Sequence, residues 1–262
     1  MDLQQMLDHA SSGSVHVEEG WGQGRATYGG LVGGLMLAAL RGRLPEAGTL
    51  PLRSATVSFV APVAPGEAHA EVSILRQGSR ATQGQVHLVQ EGQVVAAILA
   101  SFGAERESSI NVPPSTPMPP FAGPDEAQAL PYLPGVTPDF FAHVDMRLAD
   151  GGMPYSGAAT SHMQGWMRFR QAPPRFGEEH FVSLVDSWPP ATIQMLGEPR
   201  PASSLTWTIE LLEDPSAEPD AWWAYEVRTD HAAHGYGHTH AHVWRPDGTL
   251  VAISRQTVAV FG

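Results

Sequence analysis

One pattern runs through this chain twice, and that duplication narrows its fold more than any other feature. Residues Tyr28–Leu40, YGGLVGGLMLAAL, open on glycine and are apolar on nearly every face. A stretch apolar all round predicts a helix buried on all sides. Four strand patterns follow it: RSATVSFVAP (Arg53–Pro62), AHAEVSILRQ (Ala68–Gln77), TQGQVHLVQ (Thr82–Gln90) and, after a Glu91-Gly92 turn, VVAAILASFG (Val94–Gly103). The first three alternate apolar and polar residues, and the last reads as a buried strand.

The second half repeats the order. FVSLVDSWPPATI (Phe181–Ile193) takes the helix position and SSLTWTIELL (Ser203–Leu212) the first alternating strand. WWAYEVRT (Trp222–Thr229), HTHAHVW (His238–Trp244) and, after a Pro246-Asp247-Gly248 turn, TLVAISRQTVAVF (Thr249–Phe261) complete it. Two further strands, FFAHVDMRL (Phe140–Leu148) and SHMQGWMRFR (Ser161–Arg170), are predicted ahead of this second helix. Nine prolines lie between Pro113 and Pro138 without any sustained period, which predicts a linker running over the surface. The expected division is residues 1–110, a linker at 111–137, and residues 138–262. A helix followed by antiparallel strands, occurring twice, predicts an α+β protein: a tandem (double) hotdog in which each half wraps an antiparallel sheet around a central helix.

Composition removes several alternatives. The chain has no cysteine, so thiolate nucleophiles, disulfides and cysteine metal sites are excluded. A formal charge of −12 argues against a large nucleic-acid surface. The longest apolar run, Leu31–Leu40, is interrupted by Gly33 and Gly34 and falls short of the roughly 20 residues that span a bilayer. The opening MDLQQMLDHASSG lacks a basic region followed by an apolar stretch, so neither a signal peptide nor membrane insertion is expected. A cytoplasmic location fits these features.

Five segments resemble the acyl-CoA thioesterase II family of double-hotdog proteins. They are YGGLVGGLMLAA, the strand ending ILASFGAE, the WMRFR strand, the DGTLVAISRQ hairpin and the Leu-Val-Asp at the second helix. The resemblance implies an acyl-CoA substrate, fatty acid metabolism, no cofactor, and a water oriented by an aspartate, a glutamine and a hydroxyl residue. The aspartate at the head of the second helix maps onto Asp186, and the glutamine after the Asp-Gly turn maps onto Gln256. The simplest alignment puts Ala202 at the hydroxyl position. Ser204 and, second, Thr206 are the expected substitutes, since a period of two places them on one strand face.

The repeat makes a separate argument for the same residues. Aligning LVG with LVD sets Gly33 opposite Asp186, and aligning VVAAILA with LVAISRQ sets Ala100 opposite Gln256. Polar residues in one copy only imply one working site and one silent copy. In the expected chemistry Asp186, kept ionised by a helix N-terminus, takes a proton from water. Backbone N–H groups around Gly29, Gly30, Gly33 and Gly34 could receive the oxyanion, although the same glycines could equally serve close helix packing.

Other features carry less. His238, His240 and His242 alternate along one strand and would share a face. Three neighbours on one face stand too parallel to converge on one ion, so no metal site is expected. Trp188 lies beside Asp186 and could line an acyl pocket, limiting chain length or favouring aromatic groups. Arg25, Arg76 and Arg80 are candidate coenzyme A phosphate partners that could as well be solvated charges. No histidine follows Asp186 at the spacing expected of a hotdog hydratase. Exposed sheet edges make self-association into a homo-oligomer an expectation. The rival to hydrolysis is a non-catalytic acyl-CoA or acyl-ligand binding protein, favoured by Ala202.

Overall fold

The computed structural model describes residues 1–44 and 50–261. The first half holds α1 (Leu3–Ser11), β1 (Ser14–Val17), a small hairpin of β2 (Gly22–Gln23) and β3 (Ala26–Thr27), and the central helix α2 (Gly29–Arg41). Its strands continue as β4 (Leu52–Phe59), β5 (Gly66–Gln77), β6 (Ala81–Gln90) and β7 (Gln93–Gly103). The second half holds β8 (Gln128–Leu130), β9 (Val144–Asp150), β10 (His162–Phe169) and helix α3 (Glu178–Val185). It closes with β11 (Ala202–Leu211), β12 (Trp223–Ala233), β13 (Tyr236–Trp244) and β14 (Leu250–Val260).

The two halves share one 12-stranded sheet in the order β1-β5-β6-β7-β4-β11-β14-β13-β12-β10-β9-β8. The seam is β4 against β11, antiparallel, with the Thr56 and Thr208 hydroxyls 3.2 Å apart across it. Each half therefore covers the other's open edge, removing the unpaired strand that a lone copy would expose. Both helices pack on the inner face. Every α2 residue from Gly30 to Leu40 is buried, which is why its sequence shows no polar side. Its glycines admit α3 at close range. A Cβ on Gly33 would stand 3.0 Å from the Trp207 ring and 3.3 Å from Val182, and one on Gly34 would collide with Ser183.

The second helix departs from expectation. It begins at Glu178, ahead of Phe181, and ends at Val185, so Asp186 is its C-cap and not its head. Glu178 and Glu179 suit a first turn, where acidic groups meet the positive end of the helix. Pro189 and Pro190 lack backbone donors and disfavour helix in their predecessors, so the chain breaks there. It resumes only as a 3-10 turn at Ala191–Met195. Phe140 likewise belongs to a 3-10 turn (Asp139–Ala142), and the predicted strand starts at Val144.

The proline-rich stretch is more than a tether. Within it β8 pairs with β9 at the sheet edge. Ahead of β8, Met118 and Phe121 pack on a second apolar cluster of Ala127, Trp166, Ala224, Trp244 and Leu250, apart from the main core. The Trp166 indole N–H donates to the Ala122 carbonyl at 2.8 Å. Among the described residues no helix is long and apolar enough to cross a membrane.

Candidate active site

Asp186, Gln256 and Ser204 meet at the junction of the two halves. The Gln256 amide nitrogen donates to Asp186 Oδ1, and the Ser204 hydroxyl donates to Gln256 Oε1 at 3.4 Å. The fourth wall comes from the other half: the backbone N–H of Gly30, in the first turn of α2, donates to the Asp186 carboxylate. A Cβ on Gly29 would lie 2.6 Å from Asp186 Oδ2 and 2.9 Å from the Phe59 ring, so only glycine lets helix and carboxylate approach this closely.

Burial dominates the electrostatics of this carboxyl. Desolvation pushes Asp186 from 3.8 up to about 7, against the lowering pull of the Gln256 and Gly30 hydrogen bonds. The residue as a whole remains only half-buried, so the carboxylate sits inside the protein but near its surface. Two phenols share its surroundings. Burial, then the nearby Asp186 charge, raises both Tyr28 and Tyr225, keeping them protonated. Tyr225 stacks on Trp188 with ring centroids 5.3 Å apart and planes 4° from parallel. The edge of Trp188 rests on Gly165, where a Cβ would lie 2.5 Å from the indole.

The expected dipole effect has the opposite sign from α3 and comes instead from α2. As the C-cap of α3, Asp186 faces the negative end of its own helix, while the α2 N-terminus supplies the stabilising donor. Gly33 and Gly34 lie beyond the first turn of α2, where N–H groups are committed to intrahelical bonds. They are packing residues, and only the Gly29–Gly30 end can offer backbone donors. Thr206 is also displaced. A bulge between Ser204 and Thr206 breaks the period of two, so Ser204 turns inward while Thr206 is exposed, ahead of buried Trp207. Ala202, half-buried at the start of β11, has no hydroxyl to offer.

The duplication can be checked against the register. Exchanging Thr56 with Thr208 across the seam sets Ala55 on Trp207. Their cross-strand partners, Ala100 and Gln256, then coincide. The first half therefore carries a methyl group where the second carries an amide.

A family model for the acyl-CoA thioesterase N-terminal domain matches residues 17–103, and one for the C-terminal domain matches residues 124–260. The chain belongs to the acyl-CoA thioesterase family. Solved structures of similar shape include a hot dog protein of unknown function from Alicyclobacillus acidocaldarius, with a TM-score of 0.84 at 22% identity over 98% of both chains. The acyl-CoA thioesterase II TesB2 of Mycobacterium marinum gives 0.73 at 21% identity over 89% of both. The tesB protein of Mycobacterium avium subspecies paratuberculosis gives 0.78 at 14% identity, over 100% of this chain and 99% of the other. At these identities the likeness speaks for the double-hotdog fold alone. No curated protein matches the chain.

The features outside the junction fall into place on this thioesterase-family fold. His238, His240 and His242 alternate with inward Thr239, Ala241 and Val243 and so face outward, where His240 meets Asp230 at 2.7 Å. Among the described residues no group of three such side chains is arranged to hold a metal ion. Arg25, Arg76 and Arg80 are exposed. Sequence reasoning passed over Tyr28 and Tyr225. The available signals were Tyr28's place directly before the glycine pair and Tyr225's inward phase on its strand.

Proposed function

We propose that the chain hydrolyses acyl-coenzyme A to the free acid and coenzyme A through water, without a covalent intermediate. Asp186 takes a proton from the water as its oxygen attacks the thioester carbonyl carbon. Gln256, backed by Ser204, orients that water. The carbonyl π electrons move to oxygen, where the free first-turn N–H of Gly29 is available to the growing charge. Collapse breaks the carbon–sulfur bond, and the proton held by Asp186 passes to the departing thiolate. The Trp188–Tyr225 pair forms an apolar wall beside the base, suited to the acyl group.

The observation that carries this reading is a buried carboxyl brought to about 7 and held by Gln256 and the α2 N-terminus. A general base works best when its pKa lies near the working pH. The base must be ionised, so kcat/KM for thiol release should climb as pH rises through about 7 and level above it. The protein has no cysteine, so a thiol-reactive chromophore reads product without background from the protein. A profile flat between about pH 5 and 9 would remove Asp186 as the base.

A further inference from the structure

We infer that Tyr28 is a positioning residue that holds the Asp186 end of α3 against the N-terminus of α2. Its hydroxyl donates to the Ser183 carbonyl at 2.7 Å, with the Leu184 carbonyl 3.4 Å away. Ser183 lies in the last turn of α3, where carbonyls run out of intrahelical donors, whereas the Leu184 carbonyl is already met by the Ser187 backbone N–H at 3.0 Å. Asp186 follows directly. Tyr28 is at the same time the N-cap residue of α2, so its backbone begins the turn that presents Gly29 and Gly30 to the carboxylate. One side chain thus ties both ends of the contact between base and donor.

The surroundings fit this role. A Cβ on Gly30 would lie 2.6 Å from the Ser183 carbonyl oxygen and closer still to the Tyr28 hydroxyl. The missing side chain at Gly30 is what opens the path for that hydrogen bond. The Tyr28 ring is fully buried and clamped within an aromatic column drawn from both halves. Phe140 stacks on it at 4.2 Å and 9°, and Trp21 lies 6.4 Å away at 15°. Trp21 in turn stacks on His143 at 4.0 Å. Phe140 and His143 belong to the second half, so the column fixes the α2 start against the part of the chain that carries Asp186.

The inference rests on Asp186 being the working base, and its test reads the carboxyl directly so that the two can fail separately. The ionisable groups facing Asp186 are Tyr28 from the start of α2 and Tyr225 from β12, both neutral, while Gln256 faces it from β14. Tyr28→Phe keeps the ring and its stacking but frees the α3 end to draw away from Gly30. Carbon-13 NMR of labelled aspartate, assigned with Asp186→Asn, gives the titration midpoint of the carboxyl in each protein. Losing the Gly30 hydrogen bond favours the protonated form, so the midpoint should rise by about one pH unit. Thiol release should lose about 10- to 100-fold in kcat with KM little changed. A merely structural tyrosine would lower the melting temperature and leave midpoint and kcat at wild-type values, which overturns the inference. If Tyr28→Phe does not fold, Phe140→Leu loosens the same ring from its other face. It should raise the midpoint less, and an unmoved midpoint there is equally decisive. A raised midpoint in a protein whose wild type turns over no acyl-CoA would support Tyr28 and sink the hydrolase reading instead.

Discussion

Asp186→Asn should make the protein more stable at alkaline pH, and the gain should vanish in acid. In the folded protein the carboxyl titrates near 7, against an ordinary value of 3.8. A folded-state pKa above the unfolded one means that the neutral form is the one folding prefers. The contribution to stability is full below the unfolded value and is lost as pH rises through the folded value. At ~1.4 kcal/mol per pH unit, the ionised carboxylate costs about 4 kcal/mol at pH 8.5 relative to pH 3.5. Asparagine stays neutral throughout and escapes that cost. It supplies one acceptor where aspartate supplied two, and rotation of the Gln256 amide restores that pairing at about 1 kcal/mol. The net gain expected at pH 8.5 is about 1–3 kcal/mol. Urea unfolding followed by tryptophan fluorescence, from pH 4 to 9, would measure it. A difference between mutant and wild type that does not grow with pH would refute the reasoning, since it would mean that the carboxyl is not perturbed by burial.

Three further outcomes follow from the packing. Gly29→Ala places a methyl 2.6 Å from Asp186 Oδ2 and should reduce kcat for thiol release by about 100-fold with a small change in unfolding midpoint. Wild-type turnover in that variant would dismiss the close contact. Trp188→Ala removes a buried ring stacked on Tyr225 and should cost about 3–5 kcal/mol while shifting turnover toward longer acyl chains. An unchanged chain-length profile would clear Trp188 of any part in specificity. Arg41 closes the other end of the helix pair, donating to Glu178 and, at 2.8 Å, to the Leu50 carbonyl. Arg41→Ala should cost about 1–3 kcal/mol in thermal or urea unfolding by leaving half-buried Glu178 with the Leu52 N–H but without its cation, and a loss under about 0.5 kcal/mol would show the pair to be solvated.

The fold was legible where local period and burial coincide. The apolar run after Tyr28 predicts the enclosed helix that the structure shows at Gly29–Arg41, and the alternating strands reveal their faces directly. Asp186 and Gln256 stood out because the repeat offers Gly33 and Ala100 in their places. What escaped depends on contacts remote in sequence or on breaks in period. The bulge before Thr206 leaves no mark in composition, and without it Thr206 reads as inward. The family resemblance places Asp186 at the head of the second helix, whereas the helix begins earlier, at Glu178, and ends just before Asp186, ahead of the proline pair. Its stabilising donor, Gly30, lies in the opposite half of the chain. The position of Tyr28 before the glycine pair hints at a role, but its hydrogen-bond partners are carbonyls in the second half and leave no mark near it in the sequence.

The decisive measurement is release of free thiol from short, long and aromatic acyl-CoAs, compared between wild type and Asp186→Asn. If Asp186 is the base, wild type turns over at least one acyl class and the mutant loses about 100-fold or more. Turnover that survives in Asp186→Asn would contradict it and move the chemistry away from the junction. No turnover of any acyl class by wild type would contradict hydrolysis itself and leave an acyl-ligand binding protein on a thioesterase fold.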